Sequence, residues 1–492
     1  MSPAAVCLTI ILAIVTTGTA IGFLAGVRRK MDLEQWTVGA RGFGTLLVFL
    51  LIAGEVYTTF AFLGASGWAY SRGGPVLYVL SYLTLAYVVS FFILPPIWEL
   101  GRRFGLQTQS DFFGVRYESK YLAAFVSVVS IVSFVPYIQL QITGVGIIVS
   151  IASFDGIGRT PAMAVAVVLL VSFVFAGGIR AVAWVSVVKD VLMVLAALCI
   201  GIGIPLIHFG GIGPMFAALA HLRPTHLTMP GATANLGHTW FISTVLLTAL
   251  GFYMWPHSFN AAFTARSADT LRRNAVVMPL YTLTLAFIFF AGFATVLILP
   301  GLANGDLALL TVIRNSFPPW FLGIIGGAGA LTAMVPAAVF IQTAATLFAK
   351  NLYRPLFAPN MTDDQVSTLA RVAVIAMGLI SLGVAIFSST TLVSLLLTGY
   401  AGVAQFFPGV VLGLYWKRVT THAVFAGVAV GVTTVVALML TGRDPLFGLS
   451  AGFVALCLNF LVTVSVSLRQ SAHDGVRSTC DRLEVGADGR EP

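Results

Sequence analysis

Residues Leu46 to Tyr70 read LLVFLLIAGEVYTTFAFLGASGWAY, an apolar run long enough to cross a bilayer that carries an acid, Glu55, in its first half and Gly64-Ala65-Ser66-Gly67 beyond it. An ionisable side chain inside hydrocarbon costs at least a few kcal/mol. Backbone that leaves the helix there survives only when buried in protein or lining a cavity. The stretch therefore reads as a discontinuous helix, broken at the Gly64–Gly67 segment, that builds a small-molecule site near mid-membrane. The half-helix after Gly67 is expected to turn unpaired N–H groups and a positive dipole end toward that site, ready for a carboxylate. Ala65, Ser66, Gly67 and Trp68 are the expected donors, the alternative being a close helix–helix contact through small residues.

The rest of the chain supports a membrane setting. Of 492 residues, 58% are hydrophobic and only 9% charged, against roughly a quarter charged in soluble domains. Spans of about 20 residues fit helices and not barrel strands, so the fold class is all-α integral membrane. The net charge of +9 comes from basic residues scattered over short loops, which excludes a nucleic-acid face. Four dispersed cysteines give neither a disulfide framework nor metal spacing. No Walker loop, HExxH or zinc motif occurs, and Gly326-Gly327-Ala328-Gly329 lies in an apolar span without a preceding strand, so it serves packing or a hinge. No enzyme, cofactor or metal is expected.

Thirteen transmembrane helices are expected, at 4–27, 43–70, 75–100, 118–151, 161–177, 180–208, 238–265, 272–299, 318–350, 366–388, 390–415, 419–441 and 445–468. Arg28-Arg29-Lys30 follows the first at once, which marks a retained helix. On this map 21 of the 27 lysines and arginines fall on one side and five on the other, with Lys189 inside a span. That bias places the N-terminus outside and the C-terminus in the cytoplasm of a multi-pass plasma (inner) membrane protein. The tail 471–492 has little to bury and is expected to be disordered.

A second interruption, Gly251-Phe252-Tyr253-Met254-Trp255-Pro256-His257, opens the span at 238–265. Each interrupted helix begins a block of five spans, 43–208 and 238–415, and an odd number inverts one block against the other. Paired interruptions in two halves point to a transporter site. Segment 1–42 then carries the first helix and an inner loop, 209–237 an outer loop with a short helix near Pro214–Leu222, and 416–470 two C-terminal spans.

Further positions bear on the chemistry. Lys189 lies some two and a half turns into the sixth span and is the cationic counterpart of Glu55; a Lys189–Glu55 contact would form a protonatable switch, or else a structural ion pair. Asp190 projects about 100° from Lys189, open to a second partner. Tyr253 and Trp255 would wall the pocket, with His257 expected at the interface. Tyr137, Gln141 and Gly144 share one face of the fourth span and either bind substrate or hold helices together.

The motifs FLGASGWAY at 62–70, GGIRAVAW at 177–184, MWPHSFNAAFTARS at 254–267 and GYAGVAQFFPGVVLGLYWKR at 399–418 resemble the sodium/solute symporter family over essentially the whole chain. Within it, GEVYTTF at 54–60 and the MWPH stretch are most similar to bacterial monocarboxylate permeases, with the pantothenate permease a more distant cousin. The resemblance implies a LeuT-type 5+5 inverted repeat with two broken helices. It also implies a sodium site at the carbonyls of Gly54 and Tyr57 and at a Ser/Thr pair of the ninth span. Here that pair is replaced in Ala333-Met334-Val335-Pro336, and the family's Thr-Asp run after GGIRAVAW becomes Val185-Ser186 followed by Lys189. Gly54, Tyr57, Met334, Val335, Pro336 and Ser186 thus frame a vacated cation site with an ammonium nearby, as in related proton-coupled carriers. The expected function is import of a small monocarboxylate by alternating access, with Lys189 as proton carrier and Glu55 as counter-charge. The alternative is sodium-coupled symport of a carboxylate, amino acid or pantothenate-like solute. The expected partners are the carboxylate, a proton and the lipid bilayer, with the protein a monomer or weak oligomer.

Overall fold

The computed structural model describes residues 1–26, 38 and 41–471, and their side chains except those of 25, 26, 173, 175–181 and 471. The Arg28-Arg29-Lys30 loop, the side chains of 177–181 in GGIRAVAW and the expected disordered tail fall outside this description. Among the described residues the chain is helical, without strands; two isolated bridges, Phe43 to Ala265 and Leu446 to Leu449, are the exceptions.

The helices are α1 (Pro3–Gly26), α2 (Thr45–Val56), α3 (Ala65–Ser71), α4 (Tyr78–Phe104), α5 (Gln109–Arg116), α6 (Lys120–Ala152), α7 (Arg159–Phe209), α8 (Ile212–Leu222), α9 (His238–Gly251) and α10 (Pro256–Thr264). There follow α11 (Ala268–Thr282), α12 (Leu285–Ile298), α13 (Ala308–Ser316), α14 (Pro319–Thr346), α15 (Asp363–Phe387), α16 (Leu392–Val403), α17 (Phe407–Tyr415), α18 (Thr421–Leu440) and α19 (Ala451–Ser471). Among the described residues, ten helical stretches are long and apolar enough to cross a membrane, eleven with the bent pair α2–α3, and three shorter apolar helices, Arg159–Ser172, Ile212–Leu222 and His238–Met254, accompany them.

α7 is continuous over 51 residues where two spans were expected. A straight helix of that length would run about 76 Å. Yet Asp155, just before its start, pairs with Arg314 at 3.1 Å, and His208, near its end, bonds to Ser316 at 2.8 Å. Both ends therefore meet α13, and the axis reverses between them.

The centre of the bundle is α14, which is almost wholly buried and packs on α1, α6 and α7. Its glycines make that approach possible. A Cβ on Gly326 or Gly327 would lie 2.8 Å from Ile11 or 2.7 Å from Ile14 of α1, and one on Gly329 would lie 2.7 Å from Phe62. The run at 326–329 is a packing seam.

Two polar clusters fix the ends of the bundle. At the basic end, Asp111 accepts bonds from Lys350 Nζ (2.7 Å), Asn351 Nδ2 (2.7 Å) and the amides of Gln107 and Thr108. Burial alone would raise its carboxyl, but the Lys350 ammonium and these bonds hold it below the ordinary carboxylate value. At the opposite end, Asp306 accepts the first amide of α16, Leu392 N–H, at 3.1 Å. Burial pushes its carboxyl up to about 6 against that bond and the Arg159 charge.

Candidate functional site

The site is built where two helices stop. α2 ends at Val56, and Tyr57 takes a non-helical conformation (φ −83°, ψ 88°). The chain re-enters helix at Thr59, passes through a π-helical turn at Phe60–Gly64 and continues as α3, with the two axes bent by 48°. α9 ends at Gly251 in a 3-10 turn, Phe252–Met254. Trp255 is extended, and Pro256, whose missing N–H costs nothing at a helix start, opens α10. The two interrupted helices are tied at their basic ends: Phe43 N–H donates to Thr264 O (3.0 Å) and Arg266 N–H to Phe43 O (2.9 Å).

The first break lies at Tyr57-Thr58, not at Gly64–Gly67 as expected from the glycines. Those glycines serve close approach: a Cβ on Gly67 would sit 2.8 Å from the Gly305 backbone, and one on Gly64 3.2 Å from Leu392. Ala65, Ser66, Gly67 and Trp68 are consequently inside helix, and Ser66 Oγ turns back to Phe62 O (2.8 Å) and Leu63 O (2.9 Å). Trp68 packs on Trp240 and Tyr78 at centroid distances of 5.7 and 5.9 Å, away from the break. The start of the second half-helix, where its amides begin, is at Thr59. There Gln141 Oε1 accepts Thr59 N–H at 3.2 Å.

Lys189 is fully buried, and its ammonium donates to Gly54 O at 2.7 Å and Tyr57 O at 3.1 Å. Asp190 Oδ1 stands 3.1 Å away as an ion-pair partner, outside hydrogen-bond geometry. The lysine stem folds back onto its neighbour, and among the described side chains Asp190, for which a second partner was left open, makes no other ion pair. Gly54 makes this contact possible: a Cβ there would lie 3.1 Å from Ser186 Oγ and 3.2 Å from Lys189 Nζ. Gly54, Tyr57, Ser186 and Lys189 thus come together. Met334, Val335 and Pro336 are buried in α14, which packs on α2 and α7, and the side chains of these three residues bring no oxygen. The hydroxyls of Ser186 and Thr332 are buried without partners. With the ammonium on both break carbonyls and no side-chain oxygen at 334–336, the residues do not fit a sodium ion held alongside this lysine in the arrangement the family uses.

Glu55 does not pair with Lys189. Adjacent helical residues point about 100° apart, so Gly54 faces α7 while Glu55 faces α10. There Ser258 Oγ donates to Glu55 Oε2 at 3.1 Å, and His257 Nε2 lies 3.5 Å from the same oxygen. Glu55 Oε1 is buried with no partner. His257, expected at the interface, is 2% exposed and boxed by Phe340, Phe134 and Trp255 at 4.6, 5.6 and 5.8 Å.

The remaining expected residues gather here. Tyr137 stacks on Trp255 (4.8 Å) and Phe340 (4.1 Å), and Tyr253 meets Phe252 edge-on at 4.9 Å. Gly144 completes the face: a Cβ there would fall 1.9 Å from Thr59 Cγ2. Around the break, Glu55 Oε1, Thr58 Oγ1, Thr59 Oγ1, Tyr87 OH, Gln141 Nε2, Trp255 Nε1 and His257 Nδ1 are all buried and unpaired. Buried polar groups are ordinarily bonded, so this concentration makes the break the candidate ligand position. Thr58, Thr59, Tyr87, His257 and Ser258 were not singled out from the sequence as site residues. The hydroxyl pair at the break was the available signal.

An all-helical membrane bundle whose unpaired polar atoms cluster between two interrupted helices is the architecture of a secondary transporter. The chain belongs to the sodium:solute symporter family, whose pattern matches residues 36–431. It is 44% identical over 474 residues to "Uncharacterized symporter YhjB" of Bacillus subtilis (strain 168), covering 94% of this chain and 96% of that one. It is 28% identical over 479 residues to "Monocarboxylate transport permease protein" of Rhizobium johnstonii, covering 94% and 96%. The fold matches that of a Na+-coupled sialic acid symporter, described as substrate-bound and outward-open, with a TM-score of 0.79 at 16% identity, over 94% of this chain and 97% of that one.

Proposed function

We propose that the protein imports a small monocarboxylate by alternating access, with proton movement coupled through Lys189. The carrying observation is the ammonium on Gly54 O and Tyr57 O, the carbonyls at which the family would lodge a cation. Uptake of the proton on this amine changes the charge beside the break, and losing it weakens the hold on the two carbonyls, so protonation is linked to the geometry of the site. Tyr137, Gln141, Tyr253 and Trp255 line the pocket, with the substrate carboxylate at the amide end near Thr59 in place of 65–68. The likeness to the Rhizobium permease supports the substrate class.

The same reading gives thirteen spans: α7 as two, the α2–α3 and α9–α10 pairs as one each. It divides the chain into 1–42, the repeats 43–208 and 238–415 around loop 209–237, two final spans in 416–470 and a cytoplasmic tail. The N-terminus faces outward across the inner membrane, and the unit is a monomer or weak oligomer. In proteoliposomes, an inward proton gradient should drive uptake of lactate or propionate without sodium. Lys189→Gln should abolish gradient-driven uptake and spare exchange.

The second reading is sodium coupling. The unpaired Ser186 and Thr332 hydroxyls and the carbonyl of Thr332, freed by Pro336, favour it as a source of oxygens. Sodium dependence at constant pH, with Lys189→Gln nearly silent, would select it.

A further inference from the structure

We infer that Glu55 makes this site selective for monocarboxylates bearing a hydrogen-bond donor, a hydroxyl or an ammonium, on the carbon next to the carboxylate. The inference rests on the proposed reading that a carboxylate binds at the first break. Glu55 Oε2 is anchored by Ser258 and faced by His257, while Oε1, in a side chain 7% exposed, has no partner. One oxygen is held and the other is offered.

The other unpaired atoms at the break include donors, Gln141 Nε2 and Trp255 Nε1, and the hydroxyls of Thr58 and Thr59. The break therefore has a pole that receives a carboxylate and, on α2 before it, a pole that receives a proton donor. Glu55 and Thr59 are four residues apart. The break lies between them, and the two poles meet at His257, which stands 3.5 Å from Glu55 Oε2 and whose ring centroid lies 5.8 Å from that of Trp255, so a ligand touching both needs its two polar groups close together. A donor on carbon 2 meets that spacing.

An acid with no donor would set its carboxylate beside that of Glu55 with nothing between them, and two carboxylates sharing a site disfavour each other. A hydroxyl or ammonium resolves the conflict by bonding to Oε1. For an ammonium, the faces of Tyr137 and Trp255 add cation–π attraction. A site built to bond a substrate OH or NH discriminates strongly against the analogue lacking it, because its own buried group is left unpaired.

The test uses the full-length protein in proteoliposomes, with counterflow and tryptophan-fluorescence binding measured for propionate, pyruvate, lactate and alanine. Lactate or alanine should be preferred over propionate and pyruvate by at least about 100-fold. Glu55→Gln should compress that preference at least tenfold, and Ser258→Ala, which frees the anchored oxygen, should compress it less. Equal handling of all four acids by the wild-type protein overturns the inference and leaves the carboxylate reading standing. This is also the result expected if a proton on Glu55 serves as donor to any acid. Absence of binding and counterflow for all four overturns both.

Discussion

Removing the Lys189 ammonium is the sharpest perturbation the structure offers, and its size follows from what the amine touches. Lys189→Ala strips a donor from Gly54 O and Tyr57 O and the counter-charge from Asp190, all of them buried. Breaking a buried ion pair by deleting one member costs about 3–5 kcal/mol, and each buried carbonyl left unpaired about 1–3 kcal/mol. The three losses share one site and do not add fully, so on the order of 5 kcal/mol is expected. With an unfolding entropy of about 2 cal/mol/K per residue over 492 residues, each kcal/mol is worth roughly 1 °C, so the melting temperature should fall by about 5 °C.

The vacated space then holds two carbonyls, an aspartate and the nearby Ser186 hydroxyl, a set of oxygens suited to a small hard cation. Sodium should therefore stabilise Lys189→Ala and not the wild-type protein. At ten times its dissociation constant the gain is about 1.4 kcal/mol. Adding Asp190→Asn should recover part of the lost stability and abolish the sodium response. Thermal unfolding of the purified protein in detergent, in sodium against choline chloride at equal ionic strength, reads all three effects. A wild-type protein that melts higher in sodium, or a Lys189→Ala variant as stable as wild type, would refute the reasoning.

Gly144→Ala should displace Thr59, whose Cγ2 lies 1.9 Å from the new Cβ. It should cost about 1–3 kcal/mol by overpacking, and cut uptake at least tenfold; Thr59→Ser in the same chain, lacking that methyl, should restore part of it, and no rescue would count against a seated break. Asp111→Asn should destabilise by about 3–5 kcal/mol, since Lys350 loses its partner. Because the folded Asp111 carboxyl lies below its ordinary value, its stabilising share is present above pH 4 and lost as acid titrates it. Asp306 has the opposite sign. Its carboxyl is raised to about 6 from 3.8, so the penalty is absent below pH 4, grows as pH rises and is complete above about 6. Two units correspond to about 3 kcal/mol, so Asp306→Asn should stabilise the protein at pH 7.5 and lose that advantage at pH 4. An advantage unchanged between the two pH values would show that Asp306 is not held ionised against burial.

What the sequence discloses about this site depends on whether the feature is local. A lysine inside an apolar run is visible in a window of a few residues, and so is the stop at Trp255-Pro256, where proline and the preceding Gly251 punctuate the helix. The break at Tyr57-Thr58 carries no such punctuation. It is made by the neighbours that accept its loose ends: the Lys189 ammonium 132 residues on, and Gln141 82 residues on. The conspicuous glycines at 64 and 67 misled because glycine serves two purposes in a membrane, yielding a bent backbone or letting two backbones touch, and only the partner decides which. Gly67 has Gly305 against it, so it is a contact glycine.

Glu55 follows the same logic. A carboxylate in hydrocarbon announces a partner but not which, and the two charges looked suited to each other because they are the conspicuous pair on adjacent helices. The structure separates them by one residue's rotation about α2: Gly54, with no side chain, takes the lysine, and Glu55 swings to Ser258 and His257. Cation and carboxylate therefore stand at different poles of one break, one on the backbone carbonyls and one beside Ser258 and His257. Exchanging Gly54 for alanine would push against both Ser186 Oγ and Lys189 Nζ while leaving Glu55 in place. The division predicts that Gly54→Ala impairs proton-driven uptake yet keeps the order of preference among bound acids, whereas Glu55→Gln changes that order. If a single substitution at either position altered both properties together, the two poles would not be separate.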